Sequence, residues 1–336
     1  MTVQSRAVCL VARPVGEPTP ADFSLEEVTI PDPGEGQLLV RNDWISVDPY
    51  MRGRMNDVKS YVPPYRLNEP MEGGAVGTVV ESRSERIPKG ATVLHGLGWR
   101  EYALVNDTSA RVVDTDLAPA QKYLGVLGMV GLTAYAGLKR IAETKEGDVV
   151  FVSGAAGGVG SVAGRVAHHL GASKVIGSAG GPEKTRRVTE QFDYDVALDY
   201  KKGDLEGQLA TAAPDGIDVY FDNVGGDHLQ AALSALNDFG RVAMCGAVSQ
   251  YNAPKPVPGP TNLFLAVGKR LTLRGFLVGD HQDLGEEYAR LAAGWLKDGS
   301  LRTEETVVDG IENAVDAFLG MLKGANTGKM LVRLPR

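Results

Sequence analysis

The stretch Val152-Ser153-Gly154-Ala155-Ala156-Gly157-Gly158-Val159-Gly160 decides how the rest of this 336-residue chain is read. It follows an apolar run, Asp148 to Ser153, and opens a helical segment, Ser161 to Leu170, with Val162, Val166 and Leu170 on one face. A glycine pattern held between a strand and a helix is the setting of a dinucleotide loop. The spacing of Gly154, Gly157 and Gly160 is a variant of Gly-x-Gly-x-x-Gly. The chemistry is unchanged by the variation. Missing side chains let the backbone approach a pyrophosphate, and the helix N-terminus meets it with N–H groups and partial positive charge.

Downstream of the loop the pattern repeats. Strands are expected over Lys174–Ser178, Val196–Asp199, Ile217–Asp222, Gly240–Cys245 and Leu271–Phe276, with helices over Glu183–Gln191, Leu205–Ala212 and His228–Leu236 between them. Uninterrupted apolar strands alternating with helices predict a parallel sheet covered on both faces, a doubly wound α/β fold. Leu284, Tyr288, Leu291, Ala292 and Trp295 add an apolar helical stripe. Upstream, helices are expected over Ala120–Leu127 and Leu132–Ile141. Before Pro119 the grammar differs: Gln37–Ser46, Val76–Glu81 and Glu101–Val105 are β-rich runs separated by Pro- and Gly-rich turns. A strand near Val307, a helix Ile311–Leu322 and a strand Met330–Leu334 have lost the βα repeat, so the tail is expected to return to the first domain. The expected division is residues 1–124 with 305–336, and residues 125–304.

Composition narrows the function. Lys+Arg number 35 and Asp+Glu 42, a net charge of −7, which gives no general attraction to nucleic acid or anionic bilayers. The most membrane-like stretch, Gly125 to Leu138, falls short of the ~20 apolar residues of a spanning helix. The apolar run Ala7 to Ala12 is too short for a signal peptide. Cys9 and Cys245 form no Cys-x-x-Cys pair and no disulfide framework. A soluble cytoplasmic protein acting on small molecules is expected, with no nucleic-acid or membrane partner.

The second strand of the dinucleotide unit points to the cofactor. An NAD binder carries Asp or Glu about 20 residues beyond the loop, where it accepts from the ribose 2′-OH. Here Val175-Ile176-Gly177-Ser178-Ala179-Gly180-Gly181 ends without a carboxylate, and Lys184 follows in the first turn of the next helix. A 2′-phosphate needs cations and hydroxyls, so NADP(H) is favoured over NAD(H). No metal site is expected: His95, His168, His169, His228 and His281 are scattered and sit near no cysteine pair.

Five separated motifs then carry a resemblance over nearly the full length. They are Ser46-Val47-Asp48-Pro49-Tyr50-Met51-Arg52, Gly128 to Tyr135, Phe221-Asp222-Asn223-Val224-Gly225-Gly226, Cys245 to Asn252, and Met321 to Lys329. With them the chain resembles the medium-chain dehydrogenase/reductase superfamily, in its prostaglandin reductase / leukotriene 12-hydroxydehydrogenase family, which includes alkenal double-bond and curcumin reductases. Glu72-Gly73-Gly74 stands where zinc members carry Gly-His-Glu, so the resemblance is to a zinc-free branch.

The resemblance implies a GroES-like β-rich domain beside the Rossmann domain, and NADPH-dependent reduction of the C=C bond of α,β-unsaturated aldehydes and ketones. It implies that Gly157, Gly158, Val159 and Gly160 hold the pyrophosphate and that Lys184 and Tyr200 hold the 2′-phosphate. It implies further cofactor contacts from Asn223, from the turn Cys245, Gly246, Ala247, Val248, Ser249, Gln250 and Tyr251, from Phe276, Leu277 and Val278, and from Asn326. Two departures bear on this: Gln250 replaces the usual Thr, and the segment between Lys184 and Tyr200 is about one residue longer than in some relatives. Tyr251 and the nicotinamide ribose 2′-OH are the implied donors to the developing enolate, and Tyr50, Met51 and Met129 the implied substrate contacts. Leu263, Phe264, Leu265 and Val267 either cap a pocket or form a dimer contact, and a homodimer is expected. A quinone reductase of the same fold, or a non-catalytic NADPH-binding protein, are the alternatives.

Overall fold

The β-rich segment forms seven strands in the computed structural model, which describes residues 2–335: β1 Val3–Leu10, β2 Phe23–Ile30, β3 Gln37–Ser46, β4 Ala75–Ser82, β5 Thr92–His95, β6 Tyr102–Asn106 and β7 Arg111–Val112. The strand expected over Gln37–Ser46 is found over those residues. Four others escape the sequence pattern for physical reasons, the last of them, β7, because it has only two residues. In β1, Arg6 interrupts the apolar run; β2 is mostly exposed and carries Glu26 and Glu27; β5 is short. A brief helix, Tyr50–Arg54, is also not foreseen.

Beyond it run the six strands β8 Val149–Val152, β9 Lys174–Ala179, β10 Val196–Asp199, β11 Ile217–Asp222, β12 Leu236–Met244 and β13 Thr272–Gly275. All pair in parallel, in the order β10-β9-β8-β11-β12-β13. Strands β8, β9 and β11 are buried at nearly every position, so both sheet faces are covered, as their uninterrupted apolar sequence requires. Phe151 stacks on Tyr220 inside this core, ring centroids 5.1 Å apart. The helices Gly160–His169, Pro182–Gln191, Leu205–Ala212 and Gly226–Ala235 fall between the strands. The helix expected over Ala120–Leu127 is a 3-10 turn over Ala120–Leu124, and the one expected over Leu132–Ile141 is an α-helix, Met129–Ala136, that ends in a π turn to Ile141.

Two last strands, β14 Glu305–Asp309 and β15 Lys329–Arg333, join five of the first seven in a seven-stranded sheet ordered β14-β15-β3-β4-β5-β7, with β6 on β3, while β1 and β2 pair separately. Two compact units result: Met1–Gly125 with Glu305–Asn326 and Met330–Arg336, and Val126–Glu304 with Thr327–Lys329. In the first, Phe318 on the helix Ala314–Leu322 meets Phe23 and Trp99 edge-on at 6.3 and 6.0 Å, which ties the C-terminal helix into the β-rich core.

His95 ends β5 in that unit and is buried. Leu97 N–H donates to its Nδ1 at 3.1 Å, so Nε2 carries the proton and donates to Asn42 Oδ1 at 2.9 Å. Burial, aided by Arg100, pushes its pKa from 6.5 down to about 4. The unfolded chain therefore takes up this proton first as pH falls. His95's contribution is intact above pH 6.5 and is lost progressively toward pH 4. Between pH 6.5 and 5 the loss amounts to roughly 1.5 kcal/mol. His95→Gln is expected to flatten the fall of the calorimetric midpoint across this window; an unchanged slope would remove His95 as its source.

Candidate active site

The loop after β8 is built on backbone geometry that only glycine supplies. Gly154 has φ of +63°, and Gly157 N–H closes a tight turn onto Gly154 O at 2.9 Å. A side chain at Gly160 would overlap Gly154 O and Ala155 Cα, so the helix could not start so close under the strand. No side chain caps the N-terminus of the helix Gly160–His169; its first turn is tied to the loop by backbone bonds instead, Ser161 N–H donating to Gly157 O at 2.8 Å and Val162 N–H to Val159 O at 3.1 Å. The segment Thr327–Lys329 runs along the loop: Gly328 N–H donates to Ala156 O at 2.8 Å, and Gly157 and Gly328 form a parallel bridge. Asn326 immediately precedes this segment and is half-buried.

Every other predicted cofactor residue of the second unit lies at or just past the C-terminal end of a strand. Lys184 follows β9, Tyr200 follows β10, Asn223 follows β11, the turn Cys245–Tyr251 follows β12, and Phe276 to Val278 follow β13. Chain order reverses between β8 and β11, and in open parallel sheets such a reversal opens the ligand crevice at the strands' carboxyl ends. The end of β9 carries Gly180 and Gly181 rather than a carboxylate. Burial and the neighbouring Lys201 both lower the Lys184 pKa.

The turn after β11 has an organiser, Asp222, to which the sequence assigns no more than a place in a shared motif. Asp222 Oδ1 accepts from Tyr220 Oη at 2.7 Å, Val224 N at 2.9 Å, Gly225 N at 2.7 Å and Ser153 Oγ at 3.3 Å. Asn223 is pinned as well: its N donates to Ser153 Oγ at 2.9 Å and its Nδ2 to Ser153 O at 2.7 Å. Burial beside the Asp222 carboxylate raises the Tyr220 pKa far above the usual tyrosine value, so its phenol stays a donor. Ser153 and Tyr220 carry no sequence signal for this role, because each sits inside an apolar strand or its end.

The turn after β12 brings Tyr251 back over its own backbone. Its hydroxyl lies 3.4 Å from Ala247 N and 3.1 Å from where a Cβ on Gly246 would stand. Gln250 and Tyr251 close a 3-10 turn over Val248–Gln250. Burial pushes the Cys245 thiol up to about 12, which keeps it protonated and unreactive. Phe276 packs edge-on against Phe221 at 6.3 Å, and both rings leave no room for a side chain at Gly137.

The predicted substrate contacts divide. Met129 is 46% exposed at the start of its helix, and Tyr50 is half-buried on the helix Tyr50–Arg54. Met51 has no exposed surface and packs in the core with Trp99. Its Cε lies 2.5 Å from where a Cβ on Gly73 would stand, and Trp99 lies 3.3 Å away. Met51 thus fills the space at Gly73 and presents no atom to a ligand. Among the described residues, no group of three or more His, Cys, Asp or Glu side chains is placed to hold a metal ion. The glycine cradle, the uncapped helix and the carboxylate-free end of β9 fit a phosphorylated dinucleotide.

Comparison with known proteins places this geometry. Residues 6–113 match the family model described as N-terminal domain of oxidoreductase, and residues 158–294 the one described as Zinc-binding dehydrogenase. The NADPH-dependent curcumin reductase of Escherichia coli (strain K12) is 42% identical over 98% of this chain and 97% of its own. The 2-alkenal reductase (NADP(+)-dependent) of Nicotiana tabacum is 39% identical over 99% and 98%. The crystal structure of CurA in complex with NADPH from Vibrio vulnificus superposes with a TM-score of 0.93 at 39% identity, covering 98% of this chain and 99% of that one. On this full-length likeness and the cradle that carries it, the chain belongs to the zinc-independent medium-chain dehydrogenase/reductases, in the family of NADP-dependent oxidoreductases that holds the curcumin, 2-alkenal and prostaglandin reductases.

Proposed function

We propose that the protein reduces the carbon–carbon double bond of α,β-unsaturated aldehydes and ketones at the expense of NADPH. The observation that carries this reading is the gathering, at the C-terminal ends of the strands of one sheet, of a glycine cradle, a cationic end at Lys184 and a tyrosine hydroxyl at Tyr251, in a chain similar over its full length to reductases named for alkenals and curcumin.

The cofactor, when bound, supplies a hydride for the β-carbon of the substrate. The chain's own residues hold it and handle the charge. The backbone of the loop Gly157 to Gly160 meets the pyrophosphate, and Lys184 and Tyr200 meet the 2′-phosphate. Asn223, the Cys245–Tyr251 turn, Phe276 to Val278 and Asn326 hold the rest. Tyr251 donates a hydrogen bond to the carbonyl oxygen as it gains negative charge, the point where a preorganised donor counts most. Tyr50 and Met129 are the substrate contacts we propose to test. A homodimer in the cytoplasm completes the reading: β13 ends the sheet with one edge unpaired among the described residues, and Phe264 and Val267, 73% and 83% exposed, lie just before it. A light-scattering mass of one chain would remove the dimer.

The test is NADPH oxidation with enals, enones, quinones and saturated aldehydes, repeated with NADH and with a chelator. Chelator-resistant, NADPH-preferring conversion of enals to saturated aldehydes is expected. Turnover of quinones alone, or NADPH binding with no turnover, would overturn it.

A further inference from the structure

We infer that Lys201 is a second cationic contact for the cofactor's 2′-phosphate, a specificity-determining residue that works beside Lys184. The inference rests on the NADPH reading above and adds a residue to it.

It starts at Gly180. A Cβ there would stand 2.7 Å from the Tyr200 hydroxyl and 3.0 Å from Lys201 Cε, so both side chains following β10 reach across the end of β9. That is the place where a binder of the unphosphorylated ribose carries its carboxylate. Here the absent side chain at Gly180 makes room for a phenol and an ammonium-bearing stem instead.

The carboxylate that precedes Tyr200 and Lys201 in sequence is committed to the backbone. Asp199 is 6% exposed, and its Oδ1 accepts from Gly181 N at 2.8 Å and Lys201 N at 3.1 Å. It clamps the end of β10 to the turn after β9 and fixes where Lys201 leaves the backbone. The nearest acid on the helix, Glu183, pairs with Arg187 at 3.0 Å. Two ammonium groups are therefore held near each other, one of them partly withdrawn from water; burial first and Lys201 second lower the Lys184 pKa, and the smaller pull of Glu183 in the other direction does not offset them. Like charges so placed destabilise the ligand-free protein, and a dianionic phosphate relieves the repulsion.

The test uses the full chain and calorimetric titration with two probes, 2′,5′-ADP and 5′-AMP, which differ only in the 2′-phosphate. The wild type is expected to prefer 2′,5′-ADP. Lys201→Ala should weaken 2′,5′-ADP on the order of 10-fold and leave 5′-AMP unchanged. Lys201→Arg should restore most of the loss, and Lys202→Ala, one residue on, should bind both probes as the wild type does. Unchanged 2′,5′-ADP affinity in Lys201→Ala would overturn the assignment while leaving the NADPH reading intact. An equal loss for both probes would also overturn it, since it would report a displaced loop rather than a phosphate contact. A wild type without preference between the probes would overturn the NADPH reading itself.

Discussion

Asp222→Ala is expected to lower the thermal midpoint on the order of 10 °C and to weaken NADPH binding at least about 10-fold. Asp222 is 1% exposed, and a single oxygen gathers two hydroxyls and two backbone N–H groups. Alanine leaves these donors buried with no acceptor. Each such loss costs about 1–3 kcal/mol, and the hydroxyls can turn to other acceptors while Val224 N and Gly225 N cannot, which gives roughly 3–5 kcal/mol in all. At 2–4 °C per kcal/mol for a unit of roughly this size, that is a large shift. Binding suffers because the same bonds set the course of the chain from Asn223 to Gly226. Asp222→Asn keeps an acceptor oxygen and should lose about half as much. Calorimetry and an NADPH titration together check the claim; an alanine variant with wild-type midpoint and affinity would show that the turn is held by other means.

Much of the second unit is legible because its physics is local. A strand buried on both faces must be mostly apolar, so Ile217–Asp222 announces itself and is found over those residues, as is the short edge strand Val196–Asp199. The glycine loop is legible for the same reason: a positive φ at Gly154 and the overlap at Gly160 each forbid a side chain. Where contacts are long-range, the signal fades. β12 is expected from Gly240 but begins at Leu236, through Asn237, Asp238 and a Phe239 with φ of +64°, a stretch whose polar residues and left-handed turn look like a loop. Its register against β11 shifts there, between Ile217 and Val219, which lets the irregular segment pair. Met51 lies in a motif shared with enzymes, yet only the fold shows that its side chain fills the space left by Gly73. The Asp222 organiser joins residues about 70 positions apart, from Ser153 to Asn223, and no spacing rule connects them.

Tyr251→Phe is expected to lower kcat on the order of 100-fold while leaving the KM for NADPH within about 3-fold. The substitution removes one oxygen and keeps the ring that covers Gly246 and Ala247, so the turn after β12 keeps its shape. The hydroxyl's contact with Ala247 N, at 3.4 Å, is long for a hydrogen bond, so its loss costs the fold little. What is lost is a donor where negative charge develops, and that loss is felt in the transition state rather than in the binding of either substrate. The reaction continues at a reduced rate because solvent and the cofactor's own hydroxyl remain. Steady-state kinetics separates the two possible roles of this residue. A fall in kcat at constant KM identifies the donor, whereas a raised KM for NADPH at constant kcat would make Tyr251 a packing residue of the cofactor turn. Full activity in both parameters would remove it from the site altogether.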